Sequence, residues 1–325
     1  MLYSSKFRAA WWLRNPHAQT LYAARVQDNP VINTRTERLI TPDDDFVDLA
    51  WCEDNTVEKN NSPLVVIFHG LTGSVKSQYV QCLMHALQQR GITAVLMHFR
   101  GCSGEPNKTR GSYHSGHTKD IAFVIETMAK RFPHTKIAAA GFSLGGNALL
   151  KYLGTTQNNP LQFALSVSPP LVLGEGAERM NQGFSKVYKR VLIGQLKDAV
   201  RAKHAMYPEL GMDEFDLDSI VSFYDFDHQI TAPLHGFDSG DHYYQSASSI
   251  QDLININTPT HILWAKDDPF FTERCIPADE QLSAAVDFEL ADHGGHVAFI
   301  SGNVPLRGKN WLCDRACSLL AASLA

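Results

Sequence analysis

No stretch of about 18 consecutive apolar residues occurs anywhere in the 325-residue chain, so no transmembrane helix is predicted. A dense Lys/Arg run is also missing and the formal net charge is −5. Nucleic acid is therefore not an expected partner. The six cysteines (Cys52, Cys82, Cys102, Cys275, Cys313 and Cys317) form no C-x-x-C pair. A chain of this length builds a core without disulfides, which predicts reduced thiols in a cytoplasmic enzyme. The first twenty residues, MLYSSKFRAAWWLRNPHAQT, lack the apolar run of a secretory leader, because Lys6, Arg8 and Arg14 interrupt it. There are 14 histidines, but no H-E-x-x-H or comparable ligand spacing, so no metal and no organic cofactor are predicted. Internal repeats and low-complexity tracts are absent as well.

What is present is apolar material in short blocks. At 44% apolar residues, the chain suits a globular protein with a sizeable core. Leu64–Phe68 (LVVIF) and Ile92–Phe99 (ITAVLMHF) are continuous apolar runs, the pattern of strands buried on both faces. Helices are expected from about Ser77 to Gln89, with Gly91 closing the first, and from Gly116 to Arg131. A strand at Lys136–Ala140, a helix at Ala148–Leu153 and a strand at Phe163–Val167 follow. This alternation predicts an α/β fold with a mostly parallel sheet flanked by helices. It breaks at Pro169-Pro170 and resumes with strands at Thr260–Trp264 and Asp287–Leu290 and a last helix from about Pro305 to Leu320.

The expected organisation is one domain over 1–325. Its core spans about 32–169 and 250–325, with an N-terminal segment 1–31 and an inserted lid at about 170–249. A helix from about Phe7 to before Pro16, a strand at Phe46–Trp51 and a polar loop at Glu53–Pro63 complete the assignment.

Gly141-Phe142-Ser143-Leu144-Gly145 fits the G-x-S-x-G nucleophile elbow. A nucleophile on a sharp strand-to-helix turn leaves no room for side chains two residues to either side. The turn also aims a helix N-terminus at developing negative charge. A chain this long holds about 0.1 matches to the bare pattern by chance. The flanking KIAAA strand and GGNALLKYL helix supply the context that the pattern alone lacks.

A serine hydroxyl needs a base beside it, and the base an orienting carboxylate. In this kind of sheet they follow in the order Ser, acid, His. HILWA runs into Lys266-Asp267-Asp268-Pro269-Phe270, and VDFELA runs into Asp292-His293-Gly294-Gly295-His296. Both place candidates on loops at strand C-terminal ends. Asp268, followed by Pro269-Phe270-Phe271, is favoured over Asp267, which then turns the loop or supports it. His296 is favoured over His293, because Gly294-Gly295 lets its ring approach the serine. The oxyanion hole calls for two amides. Leu144 follows the nucleophile, and Leu71 lies in His69-Gly70-Leu71-Thr72-Gly73. His69 is expected to be structural, and a Cys102–His114 thiol–imidazole pair is disfavoured because neither residue sits in an elbow.

Several stretches together resemble the YheT-like branch of the α/β-hydrolases: NPHAQT (Asn15–Thr20), FHGLTG (Phe68–Gly73), FRGCSGE (Phe99–Glu105), YHSGHTKD (Tyr113–Asp120), GFSLGGN (Gly141–Asn147), AKDDPF (Ala265–Phe270) and GGHVAF (Gly294–Phe299). The resemblance spans nearly the whole chain and implies Ser143, Asp268 and His296 as the triad. It also implies that FRGCSGE and YHSG lie near the active-site mouth, with His114 lining it. The family contains carboxylesterases of short acyl esters and relatives acting on lipid esters.

The expected activity is therefore hydrolysis of a small acyl ester through an acyl-enzyme. A lipase, phospholipase or thioesterase is the alternative, and an inactive hydrolase fold used for binding is the reading from another class. Haloalkane and epoxide chemistry is disfavoured, since those relatives carry Asp where this chain has Ser143. Phe223, Tyr224, Phe226, Phe237, Tyr243 and Tyr244 are expected either to line an acyl pocket or to form the insertion's own small core. Trp11 and Trp12, near Arg8 and Arg14, are expected to pack on the sheet edge, with weak contact to a membrane surface as the alternative.

Overall fold

The computed structural model describes residues 1–26, 30–52 and 62–325. In chain order the elements are β1 (Leu2–Ser4), α1 (Pro16–Arg25), β2 (Thr34–Ile40), β3 (Phe46–Cys52), β4 (Leu64–Phe68), α2 (Gln78–Gln88), β5 (Thr93–Met97), α3 (Thr118–Arg131), β6 (Ile137–Phe142), α4 (Leu144–Thr155) and β7 (Leu161–Val167). Then come α5 (Leu173–Arg179), α6 (Ser185–Met206), α7 (Phe223–Phe226), α8 (Ala232–His235), α9 (Gly240–Ala247), β8 (Thr260–Ala265), β9 (Val286–Ala291), β10 (Ile300–Ser301), β11 (Lys309–Asn310) and α10 (Trp311–Leu324). The expected loop at Glu53–Pro63 lies for the most part outside the described residues, which omit 53–61.

Nine strands form one sheet in the order β1-β9-β8-β7-β6-β4-β5-β3-β2. From β1 to β5 all pairings are parallel, and only β3 and β2 run against their neighbours. The chain leaves β4 to one side for β5 and crosses to the other side for β6. Open sheets bind their ligands outside the strand C-termini at such a reversal.

Strand alternation sends side chains to two separate cores. Leu64, Val66 and Phe68 join Ile121, Val124, Met128 and Leu149 of α3 and α4 on one face. Val65 and Ile67 join Val80, Leu83, Leu87, Leu312 and Leu320 of α2 and α10 on the other. All five residues of β4 and all five of β5 are buried, which explains their uninterrupted apolar sequence. At about 1.5–3 kcal/mol for each fully buried large apolar side chain, these two faces hold the platform that carries the loops above it.

Several expected boundaries move. The helix expected from Phe7 is absent. The first helix begins at Pro16, because the Asn15 side chain accepts from Ala18 N at 3.1 Å and proline suits the first helical position. The last helix starts at Trp311 rather than Pro305, held back by the β10–β11 pairing and capped by Asn310. The helix expected at Ala148–Leu153 is longer, Leu144–Thr155. Trp12 packs on Tyr22 of α1, with ring centroids 5.3 Å apart. Trp11 is 60% exposed, its Nε1 donating to Asn303 O. The two indoles thus gather at α1 and the β10 hairpin rather than at the sheet edge.

Between β7 and β8 the described elements are all helical. Ile193, Val200, Met212, Ile220, Phe226 and Ile230 form a core within this insertion, and Leu173, Tyr243, Tyr244 and Ala247 form a second one. Of the aromatic residues expected either in a pocket or in such a core, Phe226, Tyr243 and Tyr244 do both. No helix among the described residues is long and apolar enough to cross a membrane.

Candidate active site

Ser143 sits between β6 and α4 with φ 50° and ψ −122°. A non-glycine residue held there stores about 1–3 kcal/mol of strain. The adjoining glycines are required by space. A Cβ on Gly141 would stand 2.5 Å from Gly145 O and 2.7 Å from Gly146 Cα, and one on Gly145 would collide with the carbonyls of Phe68 and His69. The turn is fixed from beneath by Ser143 N donating to Val167 O at 2.8 Å.

The loops after β8 and β9 meet at this serine. Ser143 Oγ lies 3.0 Å from His296 Nε2, and His296 Nδ1 lies 2.8 Å from Asp268 Oδ2. The Asp268 side chain is fully buried and that of His296 is 10% exposed. Asp268 Oδ1 accepts from Phe270 N at 2.9 Å, and the Phe270 ring stacks on the imidazole with centroids 4.0 Å apart. Asp267 points elsewhere. Its Oδ1 accepts from Gly295 N at 3.0 Å and its Oδ2 pairs with His293 Nδ1 at 3.1 Å. Burial pushes its carboxyl above the ordinary value. The two adjacent carboxylates therefore do different work: Asp268 holds the imidazole of His296, and Asp267 holds the loop that carries it.

The loop after β4 supplies amides. Gly70 N donates to Tyr79 Oη at 2.8 Å, Thr72 N to Tyr113 Oη at 2.9 Å and Gly73 N to Gly70 O at 3.0 Å. Leu71 N, between them, and Leu144 N, at the start of α4, make no hydrogen bond among the described residues. His69 is wholly buried, with Nδ1 2.7 Å from Gly70 O and Phe99 N donating to Nε2 at 3.1 Å. That pattern puts the proton on Nδ1, and desolvation drives the ring's pKa down to about 3. His69 is a neutral strut for the amide loop.

Two pockets open on Ser143. One runs under the insertion, past Leu71, His114, Leu173, Met180, Phe226, Tyr244 and Phe271, with about 140 Å³ of water-sized free space. The other, about 360 Å³, runs past Thr20, Lys76, Gln78, Tyr79, His296 and Asn310. Tyr113, His114 and Ser115 of the YHSG stretch line the first pocket. Arg100 of FRGCSGE is instead 7% exposed and binds Asp120 (2.7 Å), Asp43 (2.7 Å) and Asp45 (3.2 Å). It anchors the loop from beneath.

His114, His117 and His235 each bring one ring nitrogen within 4.8 Å of the others. His114 Nδ1 already takes the Gly116 amide hydrogen at 3.2 Å. Burial, helped by neighbouring His117, Lys203 and Arg100, holds His235 down at about 4.

Three sets of supporting residues carry no role in the sequence reading, although two belong to motifs quoted there. Thr20 Oγ1 accepts from His296 N at 2.9 Å and donates to Pro16 O. Gln19 is fully buried and exchanges two hydrogen bonds with the Ile300 backbone. NPHAQT thus clamps the histidine loop. Asn147 donates to Ser115 O (2.8 Å) and Ala247 O (2.9 Å), tying the elbow helix to the pocket wall and to the end of α9. Asp227, inside the insertion, lines the pocket beneath it. Only the place of NPHAQT and GFSLGGN among the stretches that carry the family resemblance pointed to the first two sets.

Comparison with known proteins agrees with this architecture. Residues 63–303 match the family model described as the alpha/beta hydrolase fold. The chain is 40% identical to "Putative esterase YheT" of Escherichia coli (strain K12) over 314 residues, covering 96% of this chain and 92% of that protein. It is 28% identical to "Phospholipase ABHD3" of Mus musculus over 306 residues, covering 90% and 73%. The solved Pyrococcus furiosus esterase Pf2001 superposes with a TM-score of 0.59 at 15% identity, over 93% of this chain and 99% of that one. The chain belongs to the α/β-hydrolase family, in its esterase- and lipase-type branch with YheT.

Proposed function

We propose that this protein hydrolyses carboxylic esters through an acyl-enzyme, with Ser143 as nucleophile, His296 as general base and acid, and Asp268 as the orienting carboxylate. The observation that carries the reading is the hydrogen-bonded line from Ser143 Oγ to His296 Nε2 (3.0 Å) and from His296 Nδ1 to Asp268 Oδ2 (2.8 Å). With Nδ1 donating to Asp268, Nε2 is free to take the serine proton as Oγ attacks the carbonyl. Charge gathering on the carbonyl oxygen is met by the Leu71 and Leu144 amides and by the positive end of α4. His296 then protonates the leaving alcohol, and water attacks the acyl-serine by the reverse route. This sequence needs neither metal nor cofactor.

The apolar pocket under the insertion suits the acyl chain, and the larger, more polar pocket beside His296 suits the departing alcohol. Residues 1–325 are read as one domain in which the insertion at about 170–249 acts as a lid. A lipase or phospholipase is the second reading, favoured by the aromatic walls of the acyl pocket. Trp11, exposed near Arg8 and Arg14, would then add a weak contact with a lipid surface. The cytoplasm is the expected compartment, since the cysteines form no C-x-x-C pair and a core of this size needs no disulfide.

The test is turnover of p-nitrophenyl esters of rising acyl length by wild type and Ser143→Ala, with a fluorophosphonate probe of Ser143. Turnover and labelling that vanish in the variant support the reading, and the preferred length separates esterase from lipase. Absence of both in wild type overturns it.

A further inference from the structure

The pocket under the insertion is apolar almost throughout, yet it contains one acid. Asp227 lines it together with Leu173, Met180, Phe223, Phe226 and Tyr243. The Asp227 carboxyl has two hydrogen-bond partners, both uncharged. Thr231 Oγ1 donates to Oδ1 at 2.8 Å, and Tyr244 Oη donates to Oδ2 at 2.9 Å. Each carboxyl oxygen can accept a further hydrogen bond. Several buried acids of this protein are met by a cation: Asp48 by Arg38, Asp120 by Arg100, and Glu289 by Arg315. Asp227 makes no ion pair among the described residues. Leaving a carboxyl short of partners in an apolar site is costly, and here the unused lone pairs belong to a group that lines the cavity open to substrate.

We propose that Asp227 is the polar anchor of the acyl pocket, accepting a hydrogen bond from a hydroxyl or ammonium group carried on the acyl chain away from the ester. The inference rests on the ester-hydrolase reading for its assignment of this pocket to the acyl group. The apolar walls hold the methylene chain, and the aromatic rings of Phe223, Phe226 and Tyr243 stand ready to face a cation as well as a hydrocarbon. The Thr231 and Tyr244 hydroxyls fix the carboxyl's direction. A saturated acyl chain without a donor would bury this acid and leave its lone pairs unused, so the site selects against it.

The experiment compares three p-nitrophenyl ester series of rising length, with plain, ω-hydroxy and ω-amino acyl chains, on wild type and Asp227→Leu. At the length that reaches the acid, wild type is expected to favour a donor-bearing chain over the plain chain by about tenfold or more in kcat/KM, the order expected of one net hydrogen bond. Asp227→Leu is expected to reverse the order. Whichever series gains identifies the donor. An unchanged ratio in a variant that still melts cooperatively overturns the proposal. Calorimetric binding of ω-hydroxy and ω-amino fatty acids to Ser143→Ala, against the same variant with Asp227→Leu added, reads the anchor without turnover. Loss of affinity only in the double variant supports the anchor even if wild type hydrolyses no ester. Equal affinities sink it whatever the chemistry at Ser143.

Discussion

Two carboxyls, Glu289 fully buried and Asp227 partly buried, separate the sheet from the helical insertion. Glu289 on β9 is 2% exposed and receives His261 Nε2 (2.9 Å), Ser5 Oγ (2.6 Å) and the Arg315 guanidinium (2.7 Å). Burial would raise its pKa, but these donors outweigh it and bring it down to about 2. Among the described residues Asp227 in the insertion meets two hydroxyls and no cation, and desolvation lifts it to about 7. In the sheet, a charge taken out of water is matched in place, as expected of a platform that must hold the strained Ser143 backbone. In the insertion the charge is left unmatched beside the pocket. On the proposed reading the platform supplies the reacting groups and the insertion supplies selectivity.

The largest effects should come from the platform. Removing the Ser143 hydroxyl or the His296 imidazole by alanine is expected to lower kcat by about 10⁴–10⁶-fold with little change in the melting temperature. The neighbouring acids divide more sharply. Asp268→Asn disturbs the imidazole's tautomer and is expected to lower kcat about 10⁴-fold. Asp267→Asn keeps an oxygen for Gly295 N and should cost about tenfold or less. Equal losses in the two variants would mean that the loop, not the imidazole contact, limits the rate.

Stability offers the next contrast. Arg100→Met strips the countercharge from Asp45 and Asp120, which are 0% and 2% exposed. It is expected to cost about 3–5 kcal/mol in urea unfolding, the loss found when one partner of a buried pair is removed. Lys203 of α6 joins the insertion to the loop after β5 by donating to Thr109 O (2.9 Å) and Gly111 O (3.0 Å). Burial lowers its pKa to about 8. Lys203→Met should cost less, about 1–3 kcal/mol for the carbonyls it leaves. A larger loss for Lys203→Met than for Arg100→Met would invert the assignment of rigidity to the platform.

The platform was also the legible part. LVVIF and its counterparts announce strands covered on both faces. G-x-S-x-G and the two loops at strand ends bring Ser143, Asp268 and His296 forward, because each stands at a fixed place relative to a strand. What stayed hidden depends on distant pairing. Thr20 and Gln19 act on residues 296 and 300 from the far end of the chain. The Phe7 helix was misread because the apolar FRAAWWLR block outweighed the Asn15-Pro16 start signal beside it. The Thr34–Ile40 strand (TRTERLI) escaped because an edge strand with mixed burial shows little apolar contrast. In the insertion, DFDHQIT reads as a polar stretch, and nothing local tells that its second aspartate faces a cavity.

The smallest expected effect isolates that aspartate by pH. In the unfolded chain Asp227 ionises near its ordinary 3.8, while in the folded protein it keeps its proton to about 7. Between these values the folded state binds more protons, so stability falls as pH rises from about 4 to 7 and levels off above. The groups facing the carboxyl, Thr231, Tyr243 and Tyr244, do not titrate in this window, since burial raises both tyrosines and Asp227 raises them further. Glu289 has the opposite sign, because its contribution is complete above about 4.5 and is lost only as pH falls toward 2. It is therefore constant where Asp227 changes. Asp227→Asn, which keeps an acceptor for one hydroxyl, should raise the melting temperature by a few degrees at pH 8 and give little gain at pH 4. A gain of equal size at both values would show that Asp227 does not ionise on unfolding differently from any exposed acid. The contrast between a matched charge in the sheet and an unmatched one in the insertion would then fail.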